Sequence, residues 1–194
     1  GYQHNDSFPG SHPLAVGPLG YNGSKAAMEL ISKADVVLAL GTRLNPFSTL
    51  PGYGIDYWPK KATIIQVDMN PDRIGLTKKV SVGICGDAKQ VAQQILDKLS
   101  SDAGNTGREE RKNLIHKTKS AWLQTLSGLD HEEDDPGTVW NKEARERDKD
   151  RMSPRQAWRA IQDALPQDAI ISSDIGNNCA IGNAYPTFEK PRKY

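Results

Sequence analysis

The sequence has 194 residues, of which 37% are apolar and 25% charged, and its formal net charge is +1. Such a length suits one domain and part of another. The near-neutral charge excludes a general attraction to nucleic acid or to an acidic membrane surface, and no apolar run is long enough to cross a bilayer. The two cysteines, Cys85 and Cys179, fit a reducing cytoplasm better than a disulfide-stapled secreted domain.

Residues 1–100 show the alternation of helices and strands that is typical of an α/β domain. Ser24 is a candidate N-cap, because apolar residues follow it at helical spacing. The unbroken apolar run of residues 36–40 predicts a strand buried on both faces of a parallel sheet. Residues 63–67 and 80–85 predict two further strands, and residues 88–99 predict an amphipathic helix. The expected fold is a Rossmann-like, doubly wound parallel sheet.

Residues 101–152 predict a polar linker. Ser101 and Gly104 indicate a flexible joint, and residues 141–151 are almost all charged, with acidic and basic residues alternating. The charged run is compatible with an exposed helix or with disorder. Between the flexible joint and the charged run, an apolar stripe at helical spacing predicts one helix that is docked on a neighbouring element. The stripe consists of Ile115, Trp122, Leu126 and Leu129.

Residues 153–194 predict the first unit of a second α/β domain. Ser153 and Pro154 are typical of a helix start, as N-cap and first helical residue. Residues 169–173 then predict a strand, which leads through Gly176 into a short helix. The residues expected on the buried face of the first helix are Ala157, Trp158, Ile161, Ala164 and Leu165.

The turn at residues 174–178 has two interpretations. A glycine between strand and helix lets the backbone approach a ligand, and the helix start offers N–H groups to a phosphate. Asn177 and Asn178 add amide donors. In the alternative, which is the commoner role for such residues, the asparagines cap the helix and Gly176 relieves the turn.

Two strand-end regions are further candidates. The long loop of residues 41–59 contains Arg43, which could meet an anion, and three aromatics that could stack on a ring or pack the loop against a neighbour. These are Tyr53, Tyr57 and Trp58. Asp68 stands where dinucleotide-binding folds place an acid, but no Gly-x-Gly-x-x-Gly precedes it, so we expect Asp68 and Asn70 to cap the turn around Pro71.

Four stretches carry a more specific signal. They are Ser11-His12-Pro13 with Gly17 and Gly20, ADVVLALGTR at 34–43, IQVDMNP at 65–71 and CGDA at 85–88. Together they resemble the central domain of the acetolactate-synthase-like thiamine-diphosphate enzymes. Residues 44–59 and 174–186 are similar to a branch of that family that converts sulfoacetaldehyde and phosphate to acetyl phosphate and sulfite. The resemblance implies an internal fragment that is inactive alone.

The resemblance also implies a cofactor site. Gly176, Asn177 and Asn178 match the family's first contacts to the diphosphate, so the implied cofactors are thiamine diphosphate and Mg²⁺. The family's magnesium motif and its activating glutamate have no counterpart in this sequence, so no catalytic or metal residue is assigned. The implied assembly is a homodimer or higher oligomer. Arg43 matches a nucleotide-facing position, but its surroundings depart from the flavin-binding members, and no FAD is expected.

Two alternatives stay open at this level. The first is another lyase or acyltransferase of the same family. The second is a standalone nucleotide-binding module that uses the strand ends, since the GTR and DMN tips also resemble the nicotinamide-binding fold of sirtuin-type deacylases. Binding of NAD, FAD or ADP would favour the module.

Overall fold

A computed structural model describes residues 2–20, 23–99, 105–129, 151–174 and 176–194. Within these ranges, three parallel strands form one sheet, with β1 at Val36–Leu40, β2 at Thr63–Asp68 and β3 at Val82–Cys85. Helices α1 to α5 span Lys25–Ile31, Ala88–Lys98, Arg108–Leu129, Pro154–Ala164 and Asn177–Gly182. Short 3-10 turns lie at Tyr2–Ser7, Phe47–Thr49 and Pro71–Arg73.

The sheet confirms the predicted parallel α/β class. β1 pairs with β2 from Val36 opposite Thr63 to Leu40 opposite Val67, and β2 pairs with β3 as far as Asp68 opposite Cys85. Because all three strands run in the same direction, their carboxyl ends meet at one edge, as the sequence predicts.

Three helix starts follow from their N-cap residues. The Ser24 hydroxyl accepts the Ala27 N–H, and the Asp87 carboxylate accepts the Gln90 N–H. Ser153 forms a capping box with Gln156, in which each side chain accepts the other residue's backbone N–H, and Pro154 follows as the first helical residue. These contacts satisfy N–H groups that have no partner inside the helix, so the helices begin where their caps allow.

Burial of β1 on both faces, as predicted, is wrong. Ala39 and its neighbour Val37 pack with Leu44 and Trp58, residues of the loop that follows β1. The opposite face of β1 stays open, and Val36 is 57% exposed. α2 has no fully buried residue either, and Leu96 is exposed. An apolar strand is buried on both faces only where both faces find a partner.

The predicted docked helix is confirmed as α3. Trp122 and Leu126 are buried in a cluster with Ala26 of α1 and Tyr185, and α3 packs along α1. Ile115 is partly buried. We call this cluster of Ala26, Trp122, Leu126 and Tyr185 the junction, because it brings together α1, α3 and the segment that follows residue 182.

The C-terminal prediction is partly wrong. Residues 169–173 form no strand, and Ile170 is 74% exposed. Among the described residues, one backbone bond, from the Ile171 N–H to the Lys193 carbonyl, stands in place of the expected ladder. Likewise the predicted buried face of α4 is open at Ile161 and Ala164, whereas Trp158 packs against the junction. Neither the apolar side of residues 169–173 nor the Ile161 side of α4 is covered by another layer among the described residues.

Some predictions fall outside the described residues. These include the joint at Ser101 and Gly104, and residues 141–150 of the charged run. The proposed boundaries of the three segments, 1–100, 101–152 and 153–194, therefore stay predictions. Among the helices that are described, none combines the length and the apolarity that a membrane crossing requires.

Candidate functional site

The turn before α5 has a backbone that only glycine adopts readily. Gly176 has φ 144° and ψ −174°, a conformation that side chains with a Cβ rarely reach. Gly176 is also the N-cap of α5 and offers no side-chain oxygen to the first-turn N–H groups. A helix start left uncapped by its N-cap residue suits an anion.

Asn177 and Asn178 are the first two residues of α5, so neither of them is its N-cap. The interpretation in which the asparagines cap this helix is therefore wrong as to position. Their side chains lie outside the described part of the structure. Their role toward a diphosphate stays a prediction.

The far end of α5 is fixed by close packing. A Cβ placed on Gly182 would lie 2.6 Å from the Trp158 ring, so α4 and α5 approach more closely there than any larger residue allows. Tyr185 follows and enters the junction. The short helix that begins at the candidate turn is thus anchored to both α4 and α3.

Sequence reasoning missed the residues that tie the two ends of the chain together. Asp6 is 6% exposed, and its carboxylate accepts the backbone N–H groups of Lys193 at 2.7 Å and Tyr194 at 3.3 Å. Burial raises the pKa of Asp6, but these N–H donors outweigh it and hold the pKa below its usual value of 3.8. A partner almost the whole chain away leaves no local pattern in the sequence.

Side-chain hydrogen bonds hold the loops at the carboxyl ends of the strands. Gln66 is 1% exposed, and its side-chain amide donates to the carbonyls of Thr42 and Arg73 and accepts the Gly75 N–H at 2.9 Å. The Asp68 carboxylate accepts the N–H of Asn70. The Asn70 side chain in turn accepts the N–H of Asp72, so the predicted capping of the turn around Pro71 is confirmed.

The aromatics of the loop at 41–59 serve packing. The Tyr53 hydroxyl donates to the Gly23 carbonyl at 2.9 Å, and its ring meets Trp122 edge-on. Tyr57 is buried, and Trp58 lies under the Lys78 ammonium. Packing of these rings against other parts of the chain is confirmed, and packing of the loop onto a partner domain stays a prediction. Arg43 is exposed at the same edge.

One groove lies between the N-terminal segment, α3 and residues 183–188. Its volume is about 370 Å³, and Phe8, Trp122 and Phe188 are among its walls, with Lys119 and Asn183 at polar positions. The Lys119 ammonium already donates to the His12 carbonyl. No cluster of three or more candidate metal ligands occurs among the residues that the structure describes.

Comparison with known proteins finds a family model that matches almost the first half of the chain. Residues 1–95 match the model of the thiamine pyrophosphate enzyme central domain. These residues contain the sheet and the hydrogen-bonded loops at its strand ends, among them the loop that carries Tyr53. The match agrees with the parallel sheet described above.

Curated relatives match the chain along its full length. It is 80% identical to a probable sulfoacetaldehyde acetyltransferase of Rhizobium meliloti (strain 1021) and 77% identical to a sulfoacetaldehyde acetyltransferase of Roseovarius nubinhibens, covering 33% and 32% of those proteins. Identity to an acetolactate synthase isozyme 3 large subunit of Escherichia coli (strain K12) is 26% over 97% of this chain and 29% of that protein. The chain spans about a third of the length of these relatives.

Proposed function

Because residues 1–95 match the model of the thiamine pyrophosphate enzyme central domain, we propose that the chain is part of a thiamine-diphosphate acetyltransferase acting on sulfoacetaldehyde. The reaction converts sulfoacetaldehyde and phosphate to acetyl phosphate and sulfite. It is carried out by the whole protein, of which this chain supplies the central domain and one cofactor-binding turn. The protein works in the cytoplasm as a homodimer or higher oligomer.

One observation carries this proposal. The chain is about 80% identical, end to end, to proteins named for sulfoacetaldehyde, and 26% identical to an acetolactate synthase. The loop at 44–59 and the turn at 174–186 lie within the matched region. The gap in identity favours the acetyltransferase over another member of the family.

The cofactor of the proposed reaction is thiamine diphosphate, bound with Mg²⁺. The fit to this chain rests on Gly176, which is the N-cap of α5 and has no side chain that could accept the N–H groups of the first turn. Asn177 and Asn178 belong to the same turn and would donate to the diphosphate. When bound, the cofactor supplies a nucleophilic thiazolium carbon, and the part of this chain is to hold its phosphate end.

An assay of sulfite release tests the reaction. The full-length protein that carries this sequence, given thiamine diphosphate, Mg²⁺, phosphate and sulfoacetaldehyde, should release sulfite and form acetyl phosphate in equal amounts. The chain of residues 1–194 alone should release none. Acetolactate formation from pyruvate without sulfite release would instead support the other member of the family.

Substitution of Gly176 tests the binding turn. Gly176→Ala forces a Cβ into a conformation that disfavours it, so the affinity of the protein for thiamine diphosphate should fall at least tenfold in calorimetry. The matched control is Gly128→Ala, because a Cβ at Gly128 in α3 meets no atom within 4 Å. Equal affinity in both variants would contradict the assignment. Titration with FAD, NAD and ADP should give no binding.

A further inference from the structure

Asp6 begins a chain of hydrogen bonds that ends at α5. Its Oδ2 accepts the N–H of Tyr194, and the Tyr194 hydroxyl donates to the side-chain oxygen of Asn183 at 3.2 Å. Asn183 is almost fully buried and directly follows α5, where its own N–H donates to the Cys179 carbonyl. A buried carboxylate is thereby linked through one tyrosine to the last turn of the helix.

The same N-terminal segment holds the chain on either side of this link. The Asn5 amide donates to the Pro186 carbonyl at 3.0 Å, and the Gly10 N–H donates to the Phe188 carbonyl at 2.8 Å. The Phe188 ring lies against that of Tyr194. Residues 5–10 therefore form a template on which residues 186–194 lie.

The charge of Asp6 sets it apart from the other contacts of the template. A buried carboxylate is costly unless strong donors satisfy it, and charged acceptors form hydrogen bonds about twice as strong as neutral ones. The two N–H donors of Asp6 come from consecutive residues, Lys193 and Tyr194, so the carboxylate fixes the direction of the backbone there. That direction decides where the Tyr194 hydroxyl meets Asn183.

α5 is short enough to transmit this constraint. Six helical residues rise about 9 Å, less than two turns, so the helix moves as one body. Its first residue follows Gly176, and its last precedes Asn183. A shift at Asn183 therefore shifts the N–H groups that face the candidate diphosphate site.

We propose that Asp6 is a positioning residue, which acts through Tyr194 and Asn183 to set the start of α5 for the diphosphate of the cofactor. This inference rests on the proposed function. Asp6 touches neither cofactor nor substrate. Its part is to hold the helix in the binding geometry before the cofactor arrives.

The test uses Asp6→Asn in the full-length protein that carries this sequence. Asparagine keeps the size and one oxygen acceptor but loses the charge, so the Kd for thiamine diphosphate in the presence of Mg²⁺ should rise about fivefold in calorimetry. The kcat at saturating cofactor should stay within about twofold. In the cofactor-free protein, the amides of residues 177–182 should exchange faster with solvent.

Two further variants separate positioning from general stability. Tyr194→Phe removes the hydroxyl bond to Asn183 while it keeps the ring and the backbone N–H that Asp6 accepts. It should weaken cofactor binding as Asp6→Asn does, and the double variant should be little worse than either single one. Asn5→Ala removes the bond to Pro186 on the same template but not the link to Asn183. It should leave the Kd unchanged.

The outcomes are distinct. If Asp6→Asn lowers the unfolding midpoint but leaves both the Kd and the exchange of α5 unchanged, the carboxylate is structural only and the positioning role is rejected. If Asp6→Asn does not fold, an unchanged Kd in Tyr194→Phe rejects it. If the unsubstituted protein does not bind thiamine diphosphate, the proposed function fails first and the positioning role fails with it.

Discussion

The junction and the outer face of β1 are equally apolar in sequence, yet only the junction is buried. Trp122 and Leu126 of α3 meet Ala26 and Tyr185, which come from distant parts of the chain. In contrast, the alternate positions of β1 that share one face are all exposed. They are Val36, Leu38 and Leu40. Apolar character predicts that a residue can be buried, and the arrangement of neighbouring elements decides whether it is.

The cover on the two faces of the sheet explains the difference. The open face continues across the sheet, since Val82 of β3, in the same row as Leu38, is also exposed. The side chains of Val37 and Ala39 point to the opposite face, where Leu44 and Trp58 of the following loop cover them. The loop protects one face of the strand, and no described element protects the other.

The largest expected effect is at the junction. Trp122→Ala removes a buried indole between α1, α3 and Tyr185, so it should lower the free energy of unfolding by about 3–5 kcal/mol. Leu123→Ala is the matched control, because Leu123 is the next residue of α3 and is 51% exposed. It should cost less than about 1 kcal/mol. Urea unfolding measures both, and equal losses would show that the junction does not hold the chain together.

The next effect is on the covered face of the sheet. Gln66→Ala leaves the carbonyls of Thr42 and Arg73 and the N–H of Gly75 without their side-chain partner, and should cost about 2–4 kcal/mol. The control is Gln93→Ala, since the Gln93 amide donates to the Asp97 carboxylate on the exposed side of α2. That variant should change the free energy of unfolding by less than about 0.5 kcal/mol. A cost below 1 kcal/mol for Gln66→Ala would mean that water replaces its bonds.

Much of the fold could be predicted from the sequence because its signals are local. Ser24 and Ser153 mark the starts of α1 and α4, and the periodic stripe through Trp122 predicts both α3 and its docking face. The turn at Gly176 can also be predicted from the sequence, because a turn with positive φ strongly favours glycine.

The rest depends on contacts between distant residues. Gln66 looks like any polar residue in a strand, and its three partners come from two separate loops. Asp6 looks like a solvent-exposed acid, and its partners are at the other end of the chain. Residues 169–173 have the composition of a strand, but a strand needs a partner strand to pair with, and the described residues supply one backbone bond.

A pair of tyrosines should give smaller effects of opposite sign. The Tyr57 hydroxyl is buried and lacks a hydrogen-bond partner among the described residues, so Tyr57→Phe should leave the free energy of unfolding unchanged or raise it by about 1 kcal/mol. Tyr53→Phe removes the bond to the Gly23 carbonyl and should cost about 1 kcal/mol. A loss of stability in Tyr57→Phe larger than that in Tyr53→Phe would contradict this account.

Tyr57 also predicts a pH dependence. Burial raises the pKa of Tyr57 from 10.0 to about 12. The raised pKa favours the neutral hydroxyl in the folded protein, so the stability that it contributes is present below pH 10 and is lost as the pH rises toward about 12. Ultraviolet titration should show one tyrosine ionising near pH 12, and Tyr57→Phe should remove that step.

The smallest expected effect is on the open face of β1. Leu38→Thr introduces a β-branched residue suited to a strand and removes apolar surface that already meets water, so the free energy of unfolding of this chain should change by less than about 0.5 kcal/mol. Ile64→Thr is the matched change on the covered face, where the side chain packs with Ala39 and Leu44, and it should cost about 2–3 kcal/mol. An open apolar face favours association between chains, so Leu38→Thr should also reduce self-association in sedimentation. If both substitutions cost the same in a dilute monomer, β1 is covered on both faces after all, and the contrast between the sheet and the junction disappears.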